Sequence, residues 1–531
     1  MKQIIVLISI LIAVSWATSR PIQEEFRQCM STQFKAYTRS FEIIFPRNSS
    51  LYSSLLQSTI QNPRWLNATT FKPLLIVTPF HESEVQAAIL CSRKYDLQIR
   101  VRSGGHDYEG LSFLCRTPFI IIDLINMRSI EVDIKEETAW IQSGATLGEL
   151  YYTIAKKSLV HGFPAGLCPT VGIGGHLSGG GFGTLVRKFG VAADNVVDAY
   201  LIDVNGRLVD RKAMGEELFW AIRGGGGGNF GVILSWKIKL VRVPKSVTVF
   251  TVPRTVEQSA SELIHRWQYI APEMHEDLFI RIVILGVGEK SSKGKRIDNV
   301  SFNSLFLGGI DSLIPLMNKN FPELGLKAED CTEMTWVEST IYFAGFPKGS
   351  PLEVLLDKEQ LYKSKFKAKS DFVTEPIPKN AIEGIWKMFQ EEEEIAIMIM
   401  DPFGGKMNEI LEFEVPFPHR KGNLYNIQYM VKWDEDGLET SSRHVNWIRS
   451  LYNYMTPFVS KFPRAAYVNY RDLDLGTNKN GKTATYREAA AWGDKYFKDN
   501  FKRLARVKNK VDPENFFRNE QSIPLLPEPW K

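Results

Sequence analysis

The chain has 531 residues, of which 44% are hydrophobic and 24% are charged, and its formal net charge is +5. This length favours two or three cores rather than one, and the composition excludes an extensively disordered chain. The small excess of positive charge forms no dense Lys/Arg run, which argues against a nucleic-acid partner.

The N-terminus has the pattern of a secretory signal peptide. Lys2 gives a positive start, residues 4–17 are almost wholly apolar, and Ala17-Thr18-Ser19 supplies the small residues at which a signal peptidase cuts. This run is short for a membrane anchor, and no later segment is long and apolar enough to span a bilayer. We therefore predict a signal peptide at 1–19 and a secreted protein, in the apoplast or the vacuole. Three asparagines are predicted to carry N-glycans: Asn48, Asn67 and Asn299.

Strand and helix patterns alternate between about residues 72 and 243. Buried strands are predicted at PLLIVTP, LQIRVRSGG and FIIIDL, and a helix is predicted at HESEVQAAILCSRKY. The segment TAWIQSGATLGELYYTIAKK predicts a strand followed by an amphipathic helix. Asn205-Gly206 predicts a hairpin within NVVDAYLIDVNGRLV, and VILSWKIKLVRV predicts a further strand.

A second region begins near Pro244. It contains longer helical stretches and strands such as LFIRIVIL and NVSFNSLFLG, and it has no comparable glycine-rich loops. The tail, from about Pro457, closes with one predicted helix, AWGDKYFKDNFKRLARVKNKVD. We predict that residues 25–245 and 456–531 together form one domain and that residues 246–455 form a second.

Three glycine-rich segments are the most informative part of the sequence: RSGGH (102–106), GLCPTVGIGGHLSGGGFGTL (166–185) and RGGGGGNFG (223–231). Glycine lacks a Cβ and permits positive φ, so its backbone N–H groups can approach an anionic ligand closely. Three such segments in one α/β-type region predict a long phosphate-bearing ligand such as a dinucleotide, rather than flexible surface loops. None has the G-x-G-x-x-G arrangement of a nicotinamide-binding Rossmann unit, which disfavours NAD(P).

Four segments, in this order, resemble the signature segments of the plant berberine bridge enzyme-like family of vanillyl-alcohol oxidase type flavoproteins: RSGGHDYEG, CPTVGIGGHLSGGGFG, ELFWAIRGGGGGNFGVI and AAYVNYRDLDLG. The resemblance runs from about residue 25 to the C-terminus, and its phrasing is nearest to cannabinoid-type oxidocyclases. It implies an α+β, two-domain FAD-binding fold with a separate substrate domain. It also implies an FAD-dependent oxidase that holds FAD through two covalent bonds, at His106 and Cys168.

The two attachment residues have a chemical rationale as well. The resemblance implies that His106 bonds the flavin 8α-methyl carbon and that Cys168 bonds ring carbon 6; imidazole and thiol are both nucleophiles, and both lie in glycine-rich loops. The alternatives are a loop histidine that makes a hydrogen bond and an inert buried cysteine. No metal is predicted, because the Cys and His residues lack the paired short spacing of zinc sites. The other residues predicted to contact FAD are Arg102, Ser103, Gly104, Gly105, Val171, Gly172, Gly174, Gly175, His176, Gly179, Gly180 and Asn469.

The sequence contains five cysteines, so at least one lies outside intramolecular disulfides in an oxidising compartment. The resemblance implies a disulfide between Cys29 and Cys91. It leaves Cys115 and Cys331 unassigned.

Three residues are predicted to act in catalysis: Tyr467, Gln428 and Tyr108. Tyr467 matches a tyrosine proposed in related enzymes as the base that takes a phenol or alcohol proton. Because free tyrosine has a pKa near 10, this role needs a neighbouring cation or donor; the alternative is a hydroxyl that ties the tail to the core. Gln428 stands where some members carry a catalytic glutamate, which disfavours a glutamate-base mechanism. Phe182 and Asn426 replace a tyrosine and an ionisable residue of several relatives.

The resemblance implies one reaction and leaves others open. Val171 aligns with a position thought to gate oxygen, and its small side chain favours an oxidase. We predict that hydride passes from a phenolic or prenylated phenolic metabolite to flavin N5, with or without ring closure, and that O₂ reoxidises the flavin to give H₂O₂. Carbohydrate or monolignol alcohol oxidation is compatible with the same residues. A flavin-dependent cyclase without net redox change, and a binding or defence protein with a vestigial flavin, are alternatives. The predicted partners are a small-molecule substrate and O₂, and we expect a monomer.

Overall fold

The computed structural model describes residues 21–34, 42–66, 72–290, 296–361, 363–391, 395–478 and 483–527. The predicted signal peptide and Asn67 lie outside the described residues. Asn48 is exposed in a turn, and Asn299 is half-buried within a strand. The described residues combine helix and sheet, as the predicted α+β class requires.

Within the described residues the strands form four sheets, the smallest of which pairs β7 with β11. In chain order the strands are β1 (Ile44–Pro46), β2 (Leu75–Val77), β3 (Gln98–Arg102), β4 (Phe119–Asp123), β5 (Ile130–Asp133), β6 (Thr138–Gln142), β7 (His161–Gly162), β8 (Val196–Ile202), β9 (Leu208–Val209), β10 (Val232–Lys239), β11 (Val241–Arg242), β12 (Val247–Thr255), β13 (Leu278–Lys290), β14 (Arg296–Phe306), β15 (Cys331–Met334), β16 (Lys365–Val373), β17 (Ile395–Pro402) and β18 (Tyr425–Trp433).

The helices surround these sheets and connect their strands. In chain order they are α1 (Ile22–Phe34), α2 (Tyr52–Gln57), α3 (Glu82–Lys94), α4 (Leu147–Lys157), α5 (Ile173–Ser178), α6 (Val186–Phe189), α7 (Arg211–Ile222), α8 (Ala260–Ile270), α9 (Ile310–Asn320), α10 (Trp336–Phe343), α11 (Lys379–Glu391), α12 (Lys406–Glu409), α13 (Leu438–Tyr454), α14 (Tyr486–Phe497) and α15 (Asn500–Val511).

The first sheet has the order β1-β2-β4-β3, in which β2, β4 and β3 are parallel and β1 is antiparallel. Every residue of β4 is buried, which explains why FIIIDL is a continuous apolar run rather than an alternating one. A disulfide joins Cys29 of α1 to Cys91 of α3, as the family resemblance implied.

The second sheet is antiparallel, with the order β5-β6-β10-β8-β9. Along β10 the buried positions alternate with half-buried ones, so that Trp236 and its alternate neighbours point into the core. The predicted hairpin at Asn205-Gly206 joins β8 to β9. Thr146 caps the N-terminus of helix α4 and exchanges hydrogen bonds with Glu149 in a capping box.

The third sheet is larger, with seven antiparallel strands in the order β15-β12-β14-β13-β17-β18-β16. One face packs on helices α8, α9, α11 and α13 in a separate hydrophobic core. The other face lines the cavity described below. How the chain divides into an FAD domain and a substrate domain remains a prediction.

The C-terminal tail differs from its prediction in one respect. The single helix expected over AWGDKYFKDNFKRLARVKNKVD is wrong, because the chain breaks at Lys498, where φ is +46°, and forms α14 and α15 instead. The two helices fold back on each other, and Phe501 packs directly on Gly493: a Cβ at Gly493 would lie 2.3 Å from the Phe501 ring. Both helices contribute to the core beneath the second sheet.

A buried ionic cluster joins the third sheet to the rest of the molecule. Lys367 and Lys369 of β16 bind Asp472 of the tail at 2.7 and 2.6 Å, and Lys367 also pairs with Glu109. These four side chains are at most 4% exposed. Burying charged side chains costs free energy, which only close pairing with opposite charges compensates. The cluster therefore fixes the edge strand β16 against the loops around it.

Arg187 of α6 makes a second connection. Its guanidinium donates to the carbonyl oxygens of five residues of the third sheet and its adjoining segments, namely Pro272, Met274, His275, Leu278 and Phe403. Burial lowers the pKa of Arg187 to about 10, opposed by Glu273 and Glu276. Among the described residues, no helix combines the length and apolarity that crossing a membrane requires.

Candidate active site

A cavity of about 640 Å³ lies between the glycine-rich loops and the inner face of the third sheet. This volume is typical of pockets that enclose small molecules and cofactors. Its walls come from the three glycine-rich segments, from β13, β16, β17 and β18, and from the tail segment at 467–471.

The first two glycine-rich loops touch backbone to backbone. A Cβ on Gly104 would lie 2.4 Å from the Gly172 nitrogen, and a Cβ on Gly172 would lie 2.1 Å from Ser103 Oγ. Gly105 has φ +69°, and a Cβ there would lie 1.8 Å from the Thr59 carbonyl oxygen. Only glycine fits these three positions, because any side chain would force backbone apart. Two separate stretches of the sequence therefore form one continuous cradle.

The cradle has the features that an elongated polar ligand requires. Gly175 has open space around its missing Cβ. The hydroxyls of Ser112 and Ser143 line the cavity and are buried, and they have no hydrogen-bond partner within the described part of the chain. Buried polar atoms are normally paired, so these hydroxyls point to a polar ligand. The residues present therefore fit FAD.

The two predicted attachment residues meet in this cavity. Thr170 Oγ1 lies 2.9 Å from His106 Nε2 and 3.4 Å from Cys168 Sγ. Burial, opposed by a hydrogen bond to the Thr170 backbone and assisted by the charge of Lys363, lowers the pKa of His106 to about 3, so the imidazole is neutral at physiological pH. A neutral imidazole and a thiol are thereby held next to each other by one hydroxyl.

Tyr108 and Gln428 form a second hydrogen-bonded pair. The Gln428 amide donates to the Tyr108 hydroxyl oxygen at 2.6 Å. The ring of Tyr108 stacks parallel to Tyr470 with centroids 5.7 Å apart, and it meets Phe366 edge-on at 5.1 Å. Burial raises the pKa of the Tyr108 phenol. Because its oxygen already accepts a hydrogen bond, the phenolic hydrogen is available to a ligand.

Tyr467 lies in the adjoining aromatic cluster, where the ring of Tyr470 contacts both Tyr467 and Tyr108. Its oxygen accepts hydrogen bonds from the Gly181 N–H and from the Asn469 amide, both at 2.9 Å. Burial raises the pKa of the Tyr467 phenol, and these two donors partly oppose the rise. The site thus contains the donors that a phenolate needs, although burial is the larger effect without a ligand.

His176 and Asn469 also line the cavity and are hydrogen-bonded to its backbone. His176 Nε2 accepts from the Gly166 N–H at 3.0 Å, and the backbone oxygen of His176 accepts from the Asn469 amide at 2.9 Å. Burial lowers the pKa of His176 to about 4, which keeps it neutral.

Three residues predicted to contact FAD are not part of the cavity wall. Arg102 is fully buried and binds Asp123 and the carbonyl oxygens of Leu55 and Leu56. The other two residues are Gly179 and Gly180, which pack closely on neighbouring residues. A Cβ on Gly179 would collide with Asn469, and a Cβ on Gly180 would collide with Phe417. All other predicted cofactor-binding and catalytic residues line the cavity.

The sequence interpretation missed several lining residues. Arg281 of β13 pairs with Asp401 of β17 at 2.8 Å, and burial raises the pKa of Asp401 against the effect of Arg281. Lys432 lies two positions beyond Met430 on the same face of β18 as Gln428. Of these missed residues, Thr170 is the one that the sequence could have indicated, because it lies only two residues after Cys168. The Arg281–Asp401 pair joins residues 120 apart, which only the strand order brings together.

Two family models match the chain. An FAD binding domain matches residues 73–211, and a berberine and berberine-like domain matches residues 466–524. Tetrahydroberberine oxidase of Berberis wilsoniae is 54% identical over 521 residues, which cover 98% of this chain and 97% of that protein. A monolignol oxidoreductase of Arabidopsis thaliana, BBE-like 13, is 49% identical over 507 residues, 95% of this chain and 94% of its own length.

Several solved structures are similar to this chain over almost its whole length. BBE-like 28 from Arabidopsis thaliana has a TM-score of 0.88 and 49% identity, covering 95% of this chain and 100% of that one. Wild-type Phl p 4.0202, described as a glucose dehydrogenase, has a TM-score of 0.89 and 44% identity with the same coverage. An isoleucine-to-valine variant of Phl p 4, described as a glucose oxidase, has a TM-score of 0.88 and 44% identity, again with that coverage.

Proposed function

The chain belongs to the berberine bridge enzyme-like family of FAD-dependent oxidoreductases, and on that premise we propose that it is a secreted oxidase with FAD bonded to both His106 and Cys168. The observation that carries the proposal is the meeting of His106 and Cys168 at the Thr170 hydroxyl, within the glycine cradle. Two nucleophiles from distant stretches of chain face the same ligand space there. Bound FAD would supply the redox chemistry, as the acceptor of a substrate hydride and the donor of electrons to O₂, which becomes H₂O₂.

Tyr467 is the proposed base. A substrate hydroxyl that enters beside it loses its proton to the Tyr467 oxygen as the neighbouring C–H bond breaks. The Gly181 N–H and the Asn469 amide, each 2.9 Å from that oxygen, stabilise the phenolate form that performs this step. Tyr108, oriented by Gln428, donates its phenolic hydrogen to the substrate and fixes its position.

The side chains around the cavity support a phenolic substrate. Tyr108, Tyr470 and Phe366 form an aromatic wall, against which a phenol ring stacks or packs edge-on. Ile397, Ile399 and Met430 form an apolar floor on β17 and β18, suited to a prenyl or other apolar substituent. We therefore propose a phenolic or prenylated phenolic metabolite, with ring closure as a possible consequence of its oxidation.

A hydroxyl-rich substrate is the second candidate. The Arg281–Asp401 pair lines the same cavity and combines a donor with an acceptor, the pattern that recognises alcohols and sugars. The monolignol oxidoreductase and the glucose dehydrogenase among the similar proteins are consistent with an alcohol.

Reaction with O₂ is proposed to depend on Val171. In Phl p 4, the wild type is described as a glucose dehydrogenase and an isoleucine-to-valine variant as a glucose oxidase. Isoleucine and valine differ by one methylene group, so a change of that size separates the protein described as a dehydrogenase from the one described as an oxidase. Val171 lines the cavity next to the cradle, and we assign it the corresponding role here.

The first experiment asks whether the flavin is bonded and whether it reacts. The secreted protein is denatured in acid, and its flavin-bearing peptides are mapped; the proposal expects flavin on His106 and on Cys168. The native protein is then mixed without oxygen with a phenol, a prenylated phenol, a monolignol and glucose. Bleaching of the flavin by the phenols supports the proposed substrate class, and bleaching by the monolignol or glucose alone supports the second candidate.

Two outcomes would overturn the proposal. Flavin that separates completely on denaturation would refute covalent attachment. Product formation without flavin bleaching, O₂ uptake or H₂O₂ would identify a cyclase without net redox change.

A further inference from the structure

Thr170 occupies a position that the proposed reaction does not use. Its side chain is buried, and its hydroxyl contacts His106 Nε2 and Cys168 Sγ at 2.9 and 3.4 Å. On the opposite side of the imidazole, the Gln360 amide nitrogen lies 3.4 Å from His106 Nδ1. Four side chains thus form one chain of contacts, Gln360–His106–Thr170–Cys168.

The Gln360 amide nitrogen sets the direction that we assign to this chain, because the other two contacts allow either group to donate. A neutral imidazole carries hydrogen on one nitrogen only, and an amide nitrogen can only donate. Gln360 therefore donates to Nδ1, the Nε2 hydrogen points to the Thr170 oxygen, and the Thr170 hydroxyl hydrogen points to Cys168 Sγ. In this direction Nδ1 keeps its lone pair, and the sulfur receives a hydrogen bond that orients it.

We propose that Thr170 is a positioning residue that links His106 and Cys168 into one directed hydrogen-bond chain and so prepares both for bonding to FAD. The inference rests on the proposed covalent attachment and goes beyond it, because it assigns a residue that governs both bonds.

The chemistry of the two attachments makes one hydroxyl useful to both. Bonding at His106 forms an N–C bond and breaks a methyl C–H and the imidazole N–H bond. Bonding at Cys168 forms an S–C bond and breaks a ring C–H and the thiol S–H bond. Each attachment releases two electrons and two protons, which O₂ takes up as H₂O₂. The Thr170 hydroxyl accepts the Nε2 hydrogen bond along which the imidazole proton leaves in the first attachment, and it donates a hydrogen bond to Cys168 Sγ in the second; the released protons end in H₂O₂.

Lys432 of β18 lines the same cavity as Cys168. Burial lowers the pKa of the Lys432 ammonium, and the interaction with Cys168 opposes that shift.

The test compares Thr170→Val with Thr170→Ser. Valine keeps the buried volume and removes the hydroxyl, whereas serine keeps the hydroxyl. Each variant is secreted from the same host and denatured, and intact mass and peptide mapping count polypeptides with both bonds, one bond or none. We expect Thr170→Ser to match the wild type and Thr170→Val to lower the doubly bonded fraction at least tenfold. In His106→Ala and Cys168→Ala backgrounds, Thr170→Val should lower each remaining bond separately.

A second variant covers failure of Thr170→Val to fold. Gln360 is only half-buried, and Gln360→Glu replaces the donor by an acceptor, which reverses the chain and should lower bonding at both residues. Wild-type levels of both bonds in Thr170→Val, or in Gln360→Glu where the first variant is not secreted, would overturn the inference. A wild-type protein without either bond would instead refute the proposed covalent attachment itself.

Discussion

Replacement of Tyr467 by phenylalanine tests the proposed base. The change removes one oxygen, which accepts hydrogen bonds from the Gly181 N–H and the Asn469 amide at 2.9 Å each. A hydrogen bond to a charged acceptor contributes about 1.5–3 kcal/mol, so the two donors stabilise a phenolate by about 3–6 kcal/mol. Loss of a general base costs about 10²–10⁴-fold in rate. We expect Tyr467→Phe to slow flavin reduction by a factor in that range.

The assay is anaerobic stopped-flow reduction of the flavin by the best substrate of the panel. Burial raises the pKa of Tyr467, so the phenolate is the minor form near neutral pH, and its fraction grows about tenfold per pH unit below that pKa. The wild-type reduction rate should therefore rise with pH between about 7 and 9, and Tyr467→Phe should abolish this rise.

A matched control is Tyr425→Phe. Tyr425 lies on the same chain segment as Gln428 but on the opposite face of β18, where its hydroxyl donates to Gln268 at 2.6 Å. Its replacement should leave the reduction rate and its pH dependence unchanged. An equal rate and an equal pH slope in Tyr467→Phe and the wild type would refute the assignment of Tyr467 as base.

Three further predictions concern oxygen, the connection between the sheets and the disulfide. Val171→Ile should slow reoxidation by O₂ at least tenfold in stopped-flow mixing while anaerobic reduction is unchanged; equal reoxidation rates would contradict the gating role. Arg187→Met removes the guanidinium donor to the carbonyl oxygens of Pro272, Met274, His275, Leu278 and Phe403, and should lower the free energy of unfolding in urea by at least about 3 kcal/mol, since each buried acceptor left unpaired costs about 1–3 kcal/mol. Cys29 and Cys91 are 62 residues apart, so replacing both by serine should lower the free energy of unfolding by about 4 kcal/mol, through the added conformational entropy of the unfolded chain. A decrease below about 1 kcal/mol would show that this entropy is not the main contribution of the disulfide.

The sequence predicted local structure well because local signals were strong. The apolar run FIIIDL became the buried strand β4, and Asn205-Gly206 became the hairpin between β8 and β9. The prediction of a single C-terminal helix was wrong because a tertiary contact accompanies a break in it. Its amphipathic pattern continues without interruption, and the break at Lys498 accompanies the packing of Phe501 on Gly493, a contact that no local pattern reports.

The candidate site was predictable where it depends on glycine and on reactive side chains. His106 and Cys168 stand in loops whose glycines are needed for backbone contact, and that requirement is visible in sequence. The Arg281–Asp401 pair was not predictable, because it depends on which strands become neighbours in the third sheet. Arg102 shows the reverse case: a charged residue beside a glycine loop turned inward to bind Asp123.

The buried cluster of Lys367, Lys369, Glu109 and Asp472 sets a rule for building chimaeras between members of this family. Exchange of the segment containing β12 to β18 for that of a relative would remove both lysines and leave both carboxylates behind. Unless the incoming segment supplies lysines at the same two places, Asp472 and Glu109 lose their lysine partners, Arg64 stays 3.9 Å from Glu109, and the hybrid should be strongly destabilised. Transplants for new substrate ranges should therefore exchange the four residues as a set.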